Sequence, residues 1–215
     1  MKIPKTINSD LNTLISCLCP TKNHPSIVIN AIMDFKKQSW KNKELVLVTD
    51  EKSEYKEILK YFECENIKLF LAPHGSTIGA LRNITMDKAR GEYVATWDDD
   101  DGHHKDRLKI QHESILKSGK KACYLKKVLV HDTITGDKGI SKNWRGMEGS
   151  MLALKSIVPK YNEAKNITED TPIKNFHATN GHVTLIDEPQ LYTYRFHDNN
   201  TCQRRHLLKI IDTII

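Results

Sequence analysis

The first half of the chain alternates between apolar runs and amphipathic stretches. Residues 14–19 form a short apolar run stopped by Pro20, and a polar turn then carries the chain through Pro25. From residue 26 to 38, Val28, Ala31, Ile32 and Phe35 recur at helical spacing, which predicts strand, turn and helix in succession. Residues 43–49 contain Leu45-Val46-Leu47-Val48, a continuous aliphatic run of the kind buried on both faces of a parallel sheet. Tyr55, Ile58, Leu59 and Phe62 then mark one face of a second helix. A third strand is expected at 67–71 and a third helix at 77–90, with Gly91 in the position where a left-handed cap is cheapest. A fourth strand at 92–97 runs into Asp98-Asp99-Asp100-Asp101, and a helix follows at 105–118.

The second half is more strand-like, with apolar segments at 122–130, 151–154, 182–186 and 191–196. A short helix over 168–176 has Thr168 as its expected N-cap and Pro172 in its first turn. The tail 206–215 has the pattern of a helix that packs on the core or docks on a membrane or partner. Successive strand-helix units imply an α/β fold with a mostly parallel sheet, and such sheets bind ligands beyond the carboxyl ends of their strands. No repeat or composition break divides the chain, so residues 1–215 are expected to form one domain, with a nucleotide-binding half at about 12–118 and an acceptor-side half at about 119–215.

Composition narrows the function. Charged residues make up 28% and hydrophobic residues 39%, proportions of a folded globular protein. No apolar run reaches the roughly 18 residues of a membrane span, and residues 1–10 lack a signal-peptide core, so a cytoplasmic location is expected. The 33 basic residues against 27 acids give a charge of +6. That surplus suits an anionic partner such as a nucleotide or a peripheral contact with an anionic membrane at its inner face, and falls short of a nucleic-acid binder. Five cysteines without a Cys-x-x-Cys pair are read as reduced, buried thiols, Cys17 and Cys19 sharing one side of their strand.

Four adjacent carboxylates repel one another unless solvent or a cation relieves them. A hard divalent ion binds oxygen ligands and shares its shell with substrate phosphates. The alternative is a solvated acidic turn ahead of the next helix.

Several segments match one family in order. Residues 14–23, with Pro20-Thr21-Lys22-Asn23, resemble the opening strand and Pro-Thr-x-Asn turn of glycosyltransferase family 2. Gln38, Trp40 and the Glu44-Leu45 to Asp50 stretch, Ala80-Leu81-Arg82-Asn83, Ala89-Arg90-Gly91-Glu92-Tyr93, and Asp98 to Asp101 followed by Asp106-Arg107-Leu108 are similar to later motifs of that family. Glu169-Asp170 and residues 194–201 extend the match more weakly.

The resemblance implies a GT-A fold, a Rossmann-like nucleotide-binding sheet with a smaller mixed acceptor-side region. It implies inverting transfer of a sugar from a nucleotide sugar, a UDP-sugar first, to a glycan or lipid-linked acceptor in bacterial surface polysaccharide synthesis. By position, Pro20, Thr21, Asn23, Asp50, Arg82, Asp98 and Asp99 would bind the donor. Asp100, Asp98 and His197 would hold Mn2+ or Mg2+, and Asp170, beside Glu169, would be the base. Two acids at a helix start are also what helix electrostatics selects. Lys22 stands in place of an aromatic residue and Thr49 in place of an aspartate. Gly102-His103-His104 replaces an aromatic pair and reads as an exposed turn, and Trp144, Arg145 and Glu148 fall where relatives shape the acceptor pocket. The rival readings are a nucleotidyltransferase, disfavoured by a first loop without glycine, and a non-catalytic nucleotide- or glycan-binding module.

Overall fold

The computed structural model describes residues 12–22, 25–51, 53–62, 65–143, 145–198, 200 and 209–215. Asn23, Trp144, Cys64, Cys202, residues 1–10 and residues 206–208 of the tail lie outside the described residues. Two sheets organise the chain. The larger contains β1 (Ile15–Pro20), β2 (Lys43–Thr49), β3 (Ile67–Leu71), β4 (Tyr93–Thr96), β6 (Ala122–Leu125), β9 (Leu152–Leu154) and β10 (Val183–Ile186), in the order β10-β6-β9-β4-β1-β2-β3. Its pairings are parallel except where β9 meets β4 and β6. Helices α1 (Val28–Lys37), α2 (Ser53–Tyr61) and α3 (Ile78–Lys88) connect the first four strands, and α4 (Arg107–Ser118) precedes β6.

The smaller sheet contains β5 (Gly102–His103), β7 (Leu129–Asp132), β8 (Lys138–Ser141), β11 (Tyr192–Phe196) and β12 (Ile211–Ile214), in the order β12-β8-β7-β11-β5. Helix α5 (Thr171–Thr179) lies between β9 and β10 in the chain.

Every residue of β1 and β2 is buried, as the unbroken aliphatic runs require of a strand covered on both faces. Cys17 and Cys19 face the core formed by Val28, Ile32, Phe35 and Leu45. One buried charge knits these strands together. Burial works against ionisation of Glu44, but hydrogen bonds from the Arg90 backbone and guanidinium and from Ser16 hold it below the usual carboxylate range. Gly91 completes this network, its N–H donating to Ser16 Oγ at 2.8 Å.

Four expectations are corrected. Gly91 is not a left-handed cap; α3 ends at Ala89, and a Cβ at Gly91 would sit 2.7 Å from Leu14 O and Ser16 N, so glycine serves close backbone approach. Left-handed capping occurs instead at Gly119, after α4. The 122–130 segment divides into β6 and β7, which belong to different sheets. The described end of the tail is not a helix over 211–214 but strand β12, paired antiparallel with β8. Thr168 does not cap α5; Asp170 occupies that position, and Thr168 has φ 61°.

Candidate active site

The parallel strands bring the motif residues to one edge. Thr21 follows β1, Asp50 follows β2, and the acidic run follows β4 by two residues. That run is also where the chain leaves the larger sheet and enters the smaller one, since β4 ends at Thr96 and β5 begins at Gly102.

The four carboxylates fan out to four different sets of partners. Asp98 Oδ1 pairs with Arg82 Nη2 at 3.0 Å. Asp99 Oδ2 accepts from Thr21 Oγ1 at 2.5 Å, and that hydroxyl also contacts Tyr55 OH at 2.9 Å. Asp100 Oδ2 meets His197 Nε2 at 3.2 Å and accepts from Asn200 Nδ2 at 3.3 Å. Asp101 accepts from the Tyr192 hydroxyl and from the Arg195 backbone N–H, the latter at 2.9 Å.

Burial raises the proton affinity of Asp98, Asp99 and Asp101, and neighbouring carboxylates add to it. Arg82 opposes that rise at Asp98, Thr21 at Asp99, and Tyr192 with Arg195 at Asp101.

Arg82 is the centre of the cluster. Projecting from α3, it holds Asp98 with one nitrogen and Glu169 Oε1 with Nε at 2.7 Å, residues that sequence alone leaves far apart. Burial works against its charge, but Asp98 and Glu169 hold its proton affinity well above the ordinary guanidinium value. The next residue, Asn83, grips the 161–163 segment: Nδ2 donates to Tyr161 O at 3.0 Å and to Glu163 Oε1 at 2.9 Å, and Oδ1 accepts from Tyr161 N at 2.8 Å. Asp170, beside Glu169, makes no side-chain cap bond to α5. Burial, opposed by Arg82 and reinforced by Glu169, Glu148 and Asp98, raises its pKa from 3.8 to about 6.

The expected donor residues are therefore placed as follows. Thr21, Arg82, Asp98 and Asp99 are joined by direct hydrogen bonds in two pairs, with Pro20 ending β1 beside Thr21. Asp50 stands apart, where Oδ2 pairs with Lys22 Nζ and accepts from Gly75 N, each at 3.1 Å. Lys22 also donates to Ser76 O at 2.7 Å, so it joins the loops after β1, β2 and β3. Asp100 and His197 form the part of the expected metal set that meets directly. Among the described residues no three His, Cys, Asp or Glu side chains are grouped to hold an ion. An imidazole nitrogen beside a carboxylate oxygen, with each side chain under a fifth exposed, suits manganese or magnesium only if substrate oxygens complete the shell.

In the histidine turn His104 is exposed as expected, whereas His103 corrects the expectation. His103 is 5% exposed and stacks on Trp97 with ring centroids 3.8 Å apart. Arg107 Nη1 lies 2.6 Å from His103 Nδ1, and since a guanidinium only donates, Nδ1 accepts and Nε2 carries the proton toward Asp98 O at 3.4 Å. Burial and Arg107 push the imidazole's pKa well below its usual value, so it stays neutral. Sequence reasoning gave no site role to Tyr55 or Tyr192 and did not foresee the Lys22–Asp50 pair; Asn200 lay within the weakly matching 194–201 stretch without a role of its own.

Comparison with known proteins agrees with this architecture. A family model described as Glycosyl transferase family 2 matches residues 16–177, well over half of the chain. An uncharacterised glycosyltransferase of Haemophilus influenzae is 32% identical over 108 residues, which are 49% of this chain and 43% of that protein. The chain thus spans less than half the length of that relative. A putative colanic acid biosynthesis glycosyl transferase, WcaA, of Escherichia coli is 24% identical over 86% of this chain and 80% of its own length. The crystal structure of S. aureus TarS 1-349 in complex with UDP-GlcNAc superposes with a TM-score of 0.72 at 17% identity, covering 86% of this chain and 59% of that one. The likeness in fold extends the GT-A expectation to both sheets, and the chain belongs to glycosyltransferase family 2.

Proposed function

We propose that this chain transfers a sugar, with inversion, from a UDP-sugar to a hydroxyl of a glycan or lipid-linked acceptor. The observation that carries the reading is the Arg82 bridge. It ties Asp98, of the acidic run, to Glu169, the neighbour of Asp170, so the donor end and the candidate base belong to one buried cluster. Support for a UDP-sugar comes from the fold shared with TarS, which was solved with UDP-GlcNAc, and support for polysaccharide synthesis from the likeness to WcaA.

In this reading Thr21, Asp50, Arg82, Asp98 and Asp99, with Pro20 shaping the turn, bind the donor. Arg82 supplies fixed positive charge toward the diphosphate. Asp100 and His197, with Asp98 close in sequence, would hold Mn2+ or Mg2+, which would neutralise charge on the departing diphosphate. The acceptor oxygen attacks the anomeric carbon from the face opposite the diphosphate and gives its proton to Asp170, while the anomeric C–O bond breaks toward the phosphate. A pKa of about 6 leaves Asp170 mostly ionised at neutral pH and still basic enough to take a proton as attack proceeds. Among the described residues no helix is long and apolar enough to cross a membrane. We place the protein in the cytoplasm, drawn by its +6 charge to the anionic inner face of the membrane where lipid-linked acceptors reside.

Calorimetric titration of UDP with and without manganese tests the site. Binding should require the ion and weaken by at least about tenfold, roughly 1.4 kcal/mol, in Asp100→Ala. Equal binding without manganese, or an unchanged Asp100→Ala, refutes the placement of the ion.

A further inference from the structure

The first turn of α5 is tied down by a contact that the transfer reading does not use. Lys174 Nζ lies 2.5 Å from Glu148 Oε1, with the two side chains only 13% and 21% exposed. Thr171 Oγ1 approaches the same oxygen at 3.4 Å. Both come from the turn that Asp170 opens, and Lys174 N donates to Asp170 O at 3.2 Å, so Lys174 stands one helical turn beyond the candidate base. Glu148 begins the short 3-10 turn Glu148–Ser150, and Gly149 of that turn packs against Asp98 Oδ2 and the Tyr192 hydroxyl. The ion pair therefore fastens the helix bearing Asp170 to the turn that backs the acidic run.

We propose that Lys174 is a positioning residue for this site: by engaging Glu148 it anchors the N-terminal turn of α5 and keeps Glu148 from becoming a second, competing carboxylate beside Asp170. The inference rests on Asp170 being the base. The charged and titratable groups that act electrostatically on Asp170 include Arg82 from α3, Asp98 from the acidic run, its neighbour Glu169, Glu148, and the phenols of Tyr124 on β6 and Tyr161. Of these Arg82 is the one cation, and it is already shared between Asp98 and Glu169. Among the described residues Lys174 is the cation paired with Glu148, and two nearby carboxylates without such a partner raise the proton affinity of one.

Carboxyl carbon NMR of labelled protein tests this, with the Asp170 signal identified by its loss in Asp170→Asn. The wild-type midpoint should fall at about 6. Lys174→Met should raise it by about 0.5–1 pH unit, Lys174→Arg should leave it in place, and Lys174→Met combined with Glu148→Gln should bring it back. Glu148→Gln alone, which leaves the lysine unopposed, should lower it and serves as the measurement if Lys174→Met does not fold. UDP release from UDP-GlcNAc should show the same displacement in its acid limb. An unmoved midpoint in Lys174→Met, or one that stays raised in the double variant, overturns the role of Lys174. UDP release that ignores Asp170→Asn overturns the transfer reading instead, and the NMR titration still judges Lys174.

Discussion

Replacing Arg82 with methionine removes the cation from two carboxylates while keeping an unbranched apolar stem in its place. Its nitrogens lie 3.0 Å from Asp98 and 2.7 Å from Glu169, whose side chains are 19% and 5% exposed. Removing one partner of a buried pair costs about 3–5 kcal/mol, because the remaining charge is neither solvated nor matched. The exposed edge of Asp98 places Arg82→Met near the lower end, about 3 kcal/mol at neutral pH. The loss should depend on pH. In the variant Asp98, already pushed up by burial, loses the guanidinium that opposes the rise and holds its proton more tightly folded than unfolded, so the native state binds the extra proton. Stability contributed by such protonation is full below the unfolded values, about 4, and disappears as pH rises through the raised folded values. The wild type keeps Arg82 charged throughout and escapes most of that loss. The gap between the two proteins should therefore be smaller at pH 5 than at pH 8, growing by up to about 1.4 kcal/mol per pH unit for each proton held. Urea unfolding followed by the fluorescence of buried Trp97 measures it. A gap below about 1 kcal/mol, or one that is flat from pH 5 to 8, refutes the assignment of Arg82 as the counter-charge of both acids.

Asp170→Asn should abolish sugar transfer yet stabilise the fold. A folded pKa of about 6 against 3.8 means that ionised Asp170 costs up to about 3 kcal/mol once pH exceeds 6, so the gain should appear at pH 8 and vanish below about pH 4. Gly149→Ala would press a methyl group against the Tyr192 hydroxyl and within 3.2 Å of Asp98 Oδ2. It should cost about 1–3 kcal/mol in thermal unfolding and weaken UDP binding; unchanged values for both would show that the turn yields freely. Thr168 holds φ 61°, a conformation that penalises a β-branched residue. Thr168→Asn should raise stability by about 1 kcal/mol in urea, and a loss would mean that the threonine side chain is needed there.

Much of the fold was legible because local signals agreed with the global arrangement. The aliphatic run of β2 and the Val28–Phe35 spacing of α1 specify buried strand and covering helix without reference to anything distant. The misreadings share a cause. Gly91 looked like a cap because glycine follows many helices, but its reason is the backbone of β1, which lies far away in sequence. The 211–214 segment carries no helix-breaking residue, and pairing with the edge of β8 makes it a strand. His103 looked exposed because polar residues surround it; burial between Trp97 and Arg107 depends on partners that no local pattern reveals.

The candidate site was legible in its residue types and not in its pairings, and the acidic run shows why. Repulsion along the sequence pointed to an external cation as the natural relief. The fold supplies relief of its own, because the run crosses between sheets and successive carboxylates meet different walls. Asp98 and Asp99 turn to Arg82 on α3 and Thr21 after β1, on the side of the larger sheet. Asp100 and Asp101 turn to His197, Asn200, Tyr192 and Arg195, on and just beyond β11 of the smaller sheet. Those contacts span 78 residues for Thr21 and Asp99 and 100 for Asn200 and Asp100, far beyond any local periodicity. The same division separates roles. A carboxylate already neutralised by Arg82 is poorly suited to bind an ion alone, whereas Asp100 meets an imidazole that can itself ligate. In the proposed reading an ion at this edge would sit toward Asp100 and His197, with Arg82 facing the phosphate charge, and loss of Asp100 and loss of Arg82 should weaken nucleotide binding with different metal dependence.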